Sequence, residues 1–162
     1  MSAVGFVLVA LVAPLAQVLL VNRAAWGGPD LVTLAVVWPA LARGPVWGCV
    51  AGLVAGLAAD VTPPADGTVG RTALALSLTG LLAGWLRRPS RATRRPLVAG
   101  VLGAGLGTVL PCVAAAGLGD EVWASATAGL PLTLAWTVPL GAVLGALHAR
   151  RRPAAEVVPR RV

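Results

Sequence analysis

The chain has 162 residues, of which 57% are hydrophobic and 12% are charged. So apolar a composition excludes an ordinary soluble domain, because such a domain has no place for the surplus of apolar side chains. Thirteen arginines, no lysine and six acids give a net charge of +7, but the arginines lie beside long apolar blocks, so we interpret them as membrane topology signals and contacts to anionic lipid rather than as a nucleic-acid surface.

Six apolar blocks predict helices that cross a membrane, and together they make a single domain over residues 1–149. The first block, Ala3 to Asn22, contains Pro14, which membrane helices tolerate, and Gln17, which we expect to face another helix. Residues 150–162 are basic and interrupted by proline, which predicts a cytoplasmic tail. The other blocks run from Leu31 to Ala42, Pro45 to Ala59, Thr72 to Leu86, Leu97 to Leu118 and Val122 to Leu147.

The second block is the shortest. Its 12 residues extend about 18 Å as a helix, whereas the hydrocarbon core of a bilayer is about 30 Å thick. Either flanking residues help it to span a thinned bilayer, or Leu31 to Ala59 form one long helix bent at Pro39 and at the Arg43-Gly44-Pro45 step. A glycine-proline step after an arginine is typical of a tight turn, so we predict a helical hairpin and six spans. Five spans with an external N-terminus are the alternative.

Glycines recur every fourth residue along the third block, and the fourth block repeats this spacing once. Residues four apart share one face of a helix, and small residues there let two backbones approach closely, which is how helices associate in lipid. We therefore predict a packing surface, used within the bundle or by a partner helix, that is made by Gly44, Gly48, Gly52, Gly56, Gly80 and Gly84.

Three aspartates are the candidate functional polar residues. Asp60 ends the glycine series, and an ionisable group at the end of a membrane helix is either a functional group or an interfacial cap, since it is costly elsewhere. Asp30 follows Pro29 where the second block begins. Asp66 lies in the polar loop 61–70, so it does not share with Asp60 the dry site that a catalytic carboxylate pair needs.

The distribution of arginines predicts the orientation. With six spans and a cytoplasmic N-terminus, 11 of the 13 arginines lie on the cytoplasmic side and only Arg23 and Arg71 lie outside. Both termini are then cytoplasmic. The connection between the fourth and fifth blocks has the densest charge, and we expect it to contact anionic lipid through Arg87, Arg88, Arg91, Arg94 and Arg95.

The sequence offers little for catalysis. Its single histidine, His148, lies beside arginines with no acidic or thiol neighbour, and Cys49 and Cys112 lie far apart in apolar segments. The chain has no nucleophile elbow, phosphate-binding loop or metal-binding histidine motif. We expect no enzymatic activity, no metal and no cofactor.

The segment from Pro29 to Trp85 resembles the MreD family of rod shape-determining proteins, which are small proteins of the bacterial inner membrane. The resemblance is carried by the Pro29-Asp30 pair, the RGPVWG turn that starts at Arg43, the GLVAGLAAD stretch that ends at Asp60, the proline-rich loop and the LTGLLAGWLRR stretch. It implies an all-α membrane protein, a compact bundle of about six transmembrane helices. That bundle is distantly similar to the S-components, the substrate-binding membrane subunits of energy-coupling-factor transporters.

The resemblance also implies a function. MreD-like proteins are non-enzymatic scaffolds of the cell-wall elongation complex, where they bind MreC near the RodA transglycosylase and its penicillin-binding partner and help to maintain cell shape. The distant similarity to S-components supplies an alternative, a substrate-binding membrane component of a vitamin-type transporter. In that alternative the glycine-rich helix lines a pocket in which Asp60 or Asp66 recognises the solute.

Overall fold

A computed structural model describes residues 3–23, 27–63, 68–87, 95–119 and 123–150. These residues form six α-helices, with no strand in the described ranges. With the π-helical turn after the first helix counted as part of it, each helix begins and ends within three residues of the bounds of a predicted block, which confirms the all-α prediction. The helices are α1 (Ala3–Ala16, followed by a π-helical turn at Gln17–Val21), α2 (Leu31–Arg43), α3 (Pro45–Val61), α4 (Arg71–Leu86), α5 (Arg95–Leu118) and α6 (Trp123–Arg150).

Three helical stretches are long and apolar enough to cross a membrane, and they are Val4–Val21, Arg95–Leu118 and Thr127–Arg150. These three stretches identify a membrane protein by length and composition. The helices α2, α3 and α4 are apolar but shorter, with 13, 17 and 16 residues. About 20 residues are needed to cross the hydrocarbon core of a bilayer. Length and composition alone therefore do not identify these three helices as membrane-spanning.

The second and third helices are separated by one residue, Gly44. Its φ of 106° is a backbone conformation that glycine adopts without a steric penalty. Pro45 then occupies the first turn of α3, where its missing N–H costs nothing. The two helices fold back on each other, since Ala40 of α2 lies next to Gly48 of α3. The predicted break is confirmed, and the alternative of one continuous helix from Leu31 to Ala59 is wrong.

The shortest helix is the central one. Helix α2 packs against each of the other five helices, and eight of its 13 residues are buried. Its Val32 and Val36 join a core cluster with residues of α1, α3 and α4, while Val37 and Leu41 join a second cluster with Ala99 of α5. Helix α2 therefore forms the centre of the described bundle.

Candidate functional site

The predicted glycine surface lies in the contact between α3 and α4. A Cβ atom added at Gly48 would collide with the backbone of Gly80, and one added at Gly80 would collide with the backbone of Gly48. Toward the C-terminal end of α3, Gly52 faces the backbone of Leu76 and Gly56 faces that of Ala73. The two helices therefore touch backbone to backbone along three turns of α3.

The same contact continues to the start of α3. A Cβ atom at Gly84 would lie 2.5 Å from the Cα atom of Pro45, so the fourth helix meets the first turn of the third. Gly44 lies in the turn beside the guanidinium of Arg87. The five helical glycines are thus used inside the chain, in what we call the α3–α4 seam (Gly48, Gly52, Gly56, Gly80 and Gly84), and this seam is closed to a partner helix.

Asp60 lies at the start of α4 in space, although it belongs to α3. Its carboxylate accepts hydrogen bonds from the backbone N–H groups of Gly70 at 2.7 Å, Thr72 at 3.3 Å and Ala73 at 3.3 Å. The first N–H groups of a helix have no partner within the helix, and a negative charge there is favourable. Of the two roles that the sequence left open, this geometry is that of a cap.

Asp30 is the N-cap of α2. One carboxylate oxygen accepts from the backbone N–H of Thr33 at 2.9 Å and the other accepts from the Thr33 hydroxyl at 2.6 Å. Asp30 lies just before the helix, and burial raises the pKa of its carboxyl above the ordinary value, although the bonds from Thr33 act in the opposite direction.

Two further hydrogen bonds tie the start of α2 to distant parts of the chain. The backbone N–H of Asp30 donates to the hydroxyl of Thr137 in α6 at 2.9 Å, and the next N–H, that of Leu31, donates to the side-chain oxygen of Gln17 at 2.7 Å. The prediction that Gln17 faces another helix is confirmed. Thr33 and Thr137 were not among the candidates, because an isolated threonine in an apolar block gives no signal of its own. These hydrogen bonds join α1, α2 and α6.

The described arginines of the basic connection have different surroundings. Arg87 donates through Nη1 to the carbonyl oxygens of Leu41 at 2.5 Å and Ala42 at 3.0 Å, at the C-terminal end of α2. It therefore stabilises the turn at Gly44 in addition to any contact with lipid. Arg95 is exposed at the start of α5. Asp66 and three of the arginines expected to contact lipid, Arg88, Arg91 and Arg94, lie outside the described residues.

An apolar groove of about 800 Å³ lies between α1, α2 and α6. Ala13 and Ala35 form its floor and are each 8% exposed. Leucine, valine and tryptophan side chains form its walls, and the lining has no charged residue. We call this surface the α1–α2–α6 groove, lined by Leu8, Val9, Val12, Ala13, Leu31, Leu34, Ala35, Trp38, Leu140, Val143, Leu144 and Leu147.

The described residues include no group of three or more histidine, cysteine or acidic side chains that could hold a metal ion. Cys49 and Cys112 are both free thiols of intermediate exposure. Comparison with models of protein families, with curated proteins and with solved structures finds no match. The assignment of function therefore depends on the geometry above and on the motifs between Pro29 and Trp85.

Proposed function

We propose that the chain is a non-enzymatic, multi-pass scaffold of the bacterial inner membrane that serves the cell-wall elongation machinery and helps to maintain cell shape. The observation that carries the proposal is the α1–α2–α6 groove. The motifs that resemble MreD supply its biological setting, in which an MreC-like membrane protein is the direct partner. RodA and its penicillin-binding partner are then neighbours in the same complex.

The groove fits a transmembrane helix of that partner. Helices associate in lipid through close van der Waals packing at small residues, because burying apolar surface gains little when the surroundings are already apolar. Ala13 and Ala35 on the floor allow close approach, and the larger side chains of Leu8, Val12 and Val143 on the walls provide the packing. These three wall residues are 52 to 56% exposed, so the bundle itself leaves them uncovered.

The vitamin-type transporter has less support from the same geometry. A site for a polar solute is mostly apolar but needs a few convergent polar groups to orient the ligand. The α1–α2–α6 groove presents apolar side chains alone, and the carboxylate of Asp60 is occupied by three backbone N–H groups. The solute-recognition role that the transporter hypothesis gives to Asp60 therefore conflicts with its role as a cap.

Six membrane crossings complete the proposal. The break at Gly44 supports a hairpin of two short crossings, and with both termini in the cytoplasm the inner side receives 11 of the 13 arginines. The basic residues 150–162 then form a cytoplasmic tail. Reporters of cytoplasmic location fused to either end should both be active, and an external N-terminus would leave five crossings and overturn this topology.

Co-purification tests the docking groove. Leu140 lines the groove and Leu102 of α5 does not, yet both are partly exposed, at 38% and 44%. We expect Leu140→Trp to reduce recovery of a co-expressed MreC-like partner at least fivefold, because overpacking an interface costs about 1 kcal/mol or more. Leu102→Trp is the matched control and should leave recovery unchanged. Equal recovery with the two variants would reject the groove as the docking surface.

A further inference from the structure

A second groove, of about 400 Å³, lies between α4 and α5 on another part of the bundle. Its sides are apolar and include Leu74 and Leu78 of α4 and Val113 and Leu118 of α5, while Arg71 lines it as the first residue of α4. Leu74 and Val113 are 66% and 57% exposed. We call this surface the α4–α5 groove.

The groove is apolar along its length and cationic at one end. Arg71, Leu74 and Leu78 recur at the spacing that places residues on one face of a helix, and they extend over about 10 Å of the helix axis. Helix α5 runs in the opposite direction, so its C-terminal residue Leu118 lies at the same end as Arg71. The ligand that matches this surface has an anionic group next to a hydrocarbon chain.

The open space comes from α5. Gly103 and Gly107 of this helix are covered, because a Cβ atom at Gly103 would meet Val37 and Ala83 and one at Gly107 would meet Thr33. At Gly117, which lines the groove, an added Cβ atom would meet nothing within 4 Å. The same helix thus packs closely at one end and leaves a space beside α4 at the other.

We propose that the α4–α5 groove binds an anionic phospholipid, with one acyl chain along the apolar walls and the phosphate at Arg71. Arginine can pair with phosphate oxygens through the paired N–H groups of its planar guanidinium, and a chain in the groove covers the exposed leucine and valine side chains. With the orientation proposed above, Arg71 lies at the outer end of α4, so the lipid belongs to the outer leaflet of the inner membrane. This site is separate from the α1–α2–α6 groove and from the basic connection on the cytoplasmic side.

The test uses the full chain in a neutral detergent, supplemented with phosphatidylglycerol or with phosphatidylcholine of the same acyl composition. Native mass spectrometry counts the lipids that remain bound. Arg71→Gln should remove about one bound phosphatidylglycerol, and Gly117→Leu, which fills the groove, should remove about the same amount. The double variant should lose no more than either single variant, because two changes at one site are not additive. Arg71→Lys keeps the charge and should retain most of the binding.

Matched controls separate this site from general attraction to a basic protein. Arg23 is the other arginine expected on the outer side, and Gly105 is another α5 glycine at which an added Cβ atom meets nothing within 4 Å. Arg23→Gln and Gly105→Leu should keep the lipid. If Arg71→Gln yields no folded protein, the comparison of Gly117→Leu with Gly105→Leu shows whether the lipid occupies the α4–α5 groove. Three results would overturn the proposal. They are an equal loss of bound lipid from the two glycine variants, an equal loss from the two arginine variants, and a loss of phosphatidylcholine equal to that of phosphatidylglycerol.

Discussion

The α3–α4 seam gives the most quantitative prediction, the effect of Gly52→Ala. An added Cβ atom would lie 2.6 Å from the backbone nitrogen of Ser77, and real Cβ atoms essentially never come closer than 3.0 Å to a neighbour. The carbonyl group of Leu76 lies closer still, so the helices must separate by more than 0.4 Å, the difference between these two distances. The obstacle is backbone rather than a flexible side chain, so no rotamer change relieves it.

This separation propagates along the seam. A shift of α4 away from Gly52 also weakens the close contacts at Gly48 and Gly56, because a helix moves as a rigid rod over these three turns. Overpacking of this kind costs about 1 to 3 kcal/mol. The higher helix propensity of alanine offsets up to about 1 kcal/mol of this loss in the free energy of unfolding. We expect Gly52→Ala to lower the free energy of unfolding by up to about 2 kcal/mol, and to be about 1 to 3 kcal/mol less stable than a glycine-to-alanine variant without a collision.

The control is Gly105→Ala in α5, because an added Cβ atom there meets nothing within 4 Å. This variant gains the propensity of alanine without a collision, so it should be as stable as the parent chain or more stable by up to about 1 kcal/mol. Unfolding in detergent, followed by tryptophan fluorescence during titration with a denaturing detergent, compares the variants. A Gly52→Ala chain as stable as the Gly105→Ala chain would refute the seam as a close backbone contact.

Three further predictions concern the polar caps and can be measured by the same unfolding titration. Asp60→Ala should lower stability by about 1 to 2 kcal/mol, since the first N–H groups of α4 lose their acceptor, and Asp60→Asn should lose less; no loss with either change would contradict the capping role. Arg87→Ala should cost about 1 kcal/mol because two carbonyl groups at the end of α2 lose their donor, and Arg87→Lys should recover part of it. Because burial raises the pKa of Asp30 in the folded chain, its contribution to stability is present at low pH and is lost as the pH rises through that raised value. Asp30→Asn should therefore flatten the fall in stability that begins above about pH 4; an unchanged profile would show that Asp30 does not titrate with folding.

The sequence allowed the helices to be placed because their boundaries have local causes. The hairpin follows from glycine and proline at 44 and 45, and the start of α2 follows from Asp30, whose side chain caps it. The spacing of the glycines also predicted their shared face. It could not identify the partner of that face, since a glycine series fits a neighbouring helix of the same chain as well as a helix of another protein.

The site was harder to anticipate, because it depends on contacts between residues far apart in the chain. Thr137 meets Asp30 across 107 positions, and nothing near Thr137 distinguishes it from other threonines in apolar helices. Both grooves arise where helices diverge, and the angle between two helices depends on packing along their whole length. The capping role of Asp60 could not be predicted from its neighbours in the sequence either, because its hydrogen-bond donors lie at the start of the next helix.

The most direct test of the central claim is a photo-reactive amino acid at Val143, on the wall of the α1–α2–α6 groove, in living bacteria that produce this chain and an MreC-like partner. The same amino acid at Leu102, which is partly exposed on α5 outside this groove, is the control. The account predicts a covalent adduct with the transmembrane helix of the partner from Val143 and none from Leu102. An adduct of equal yield from both positions, or no polypeptide adduct from Val143, would contradict it.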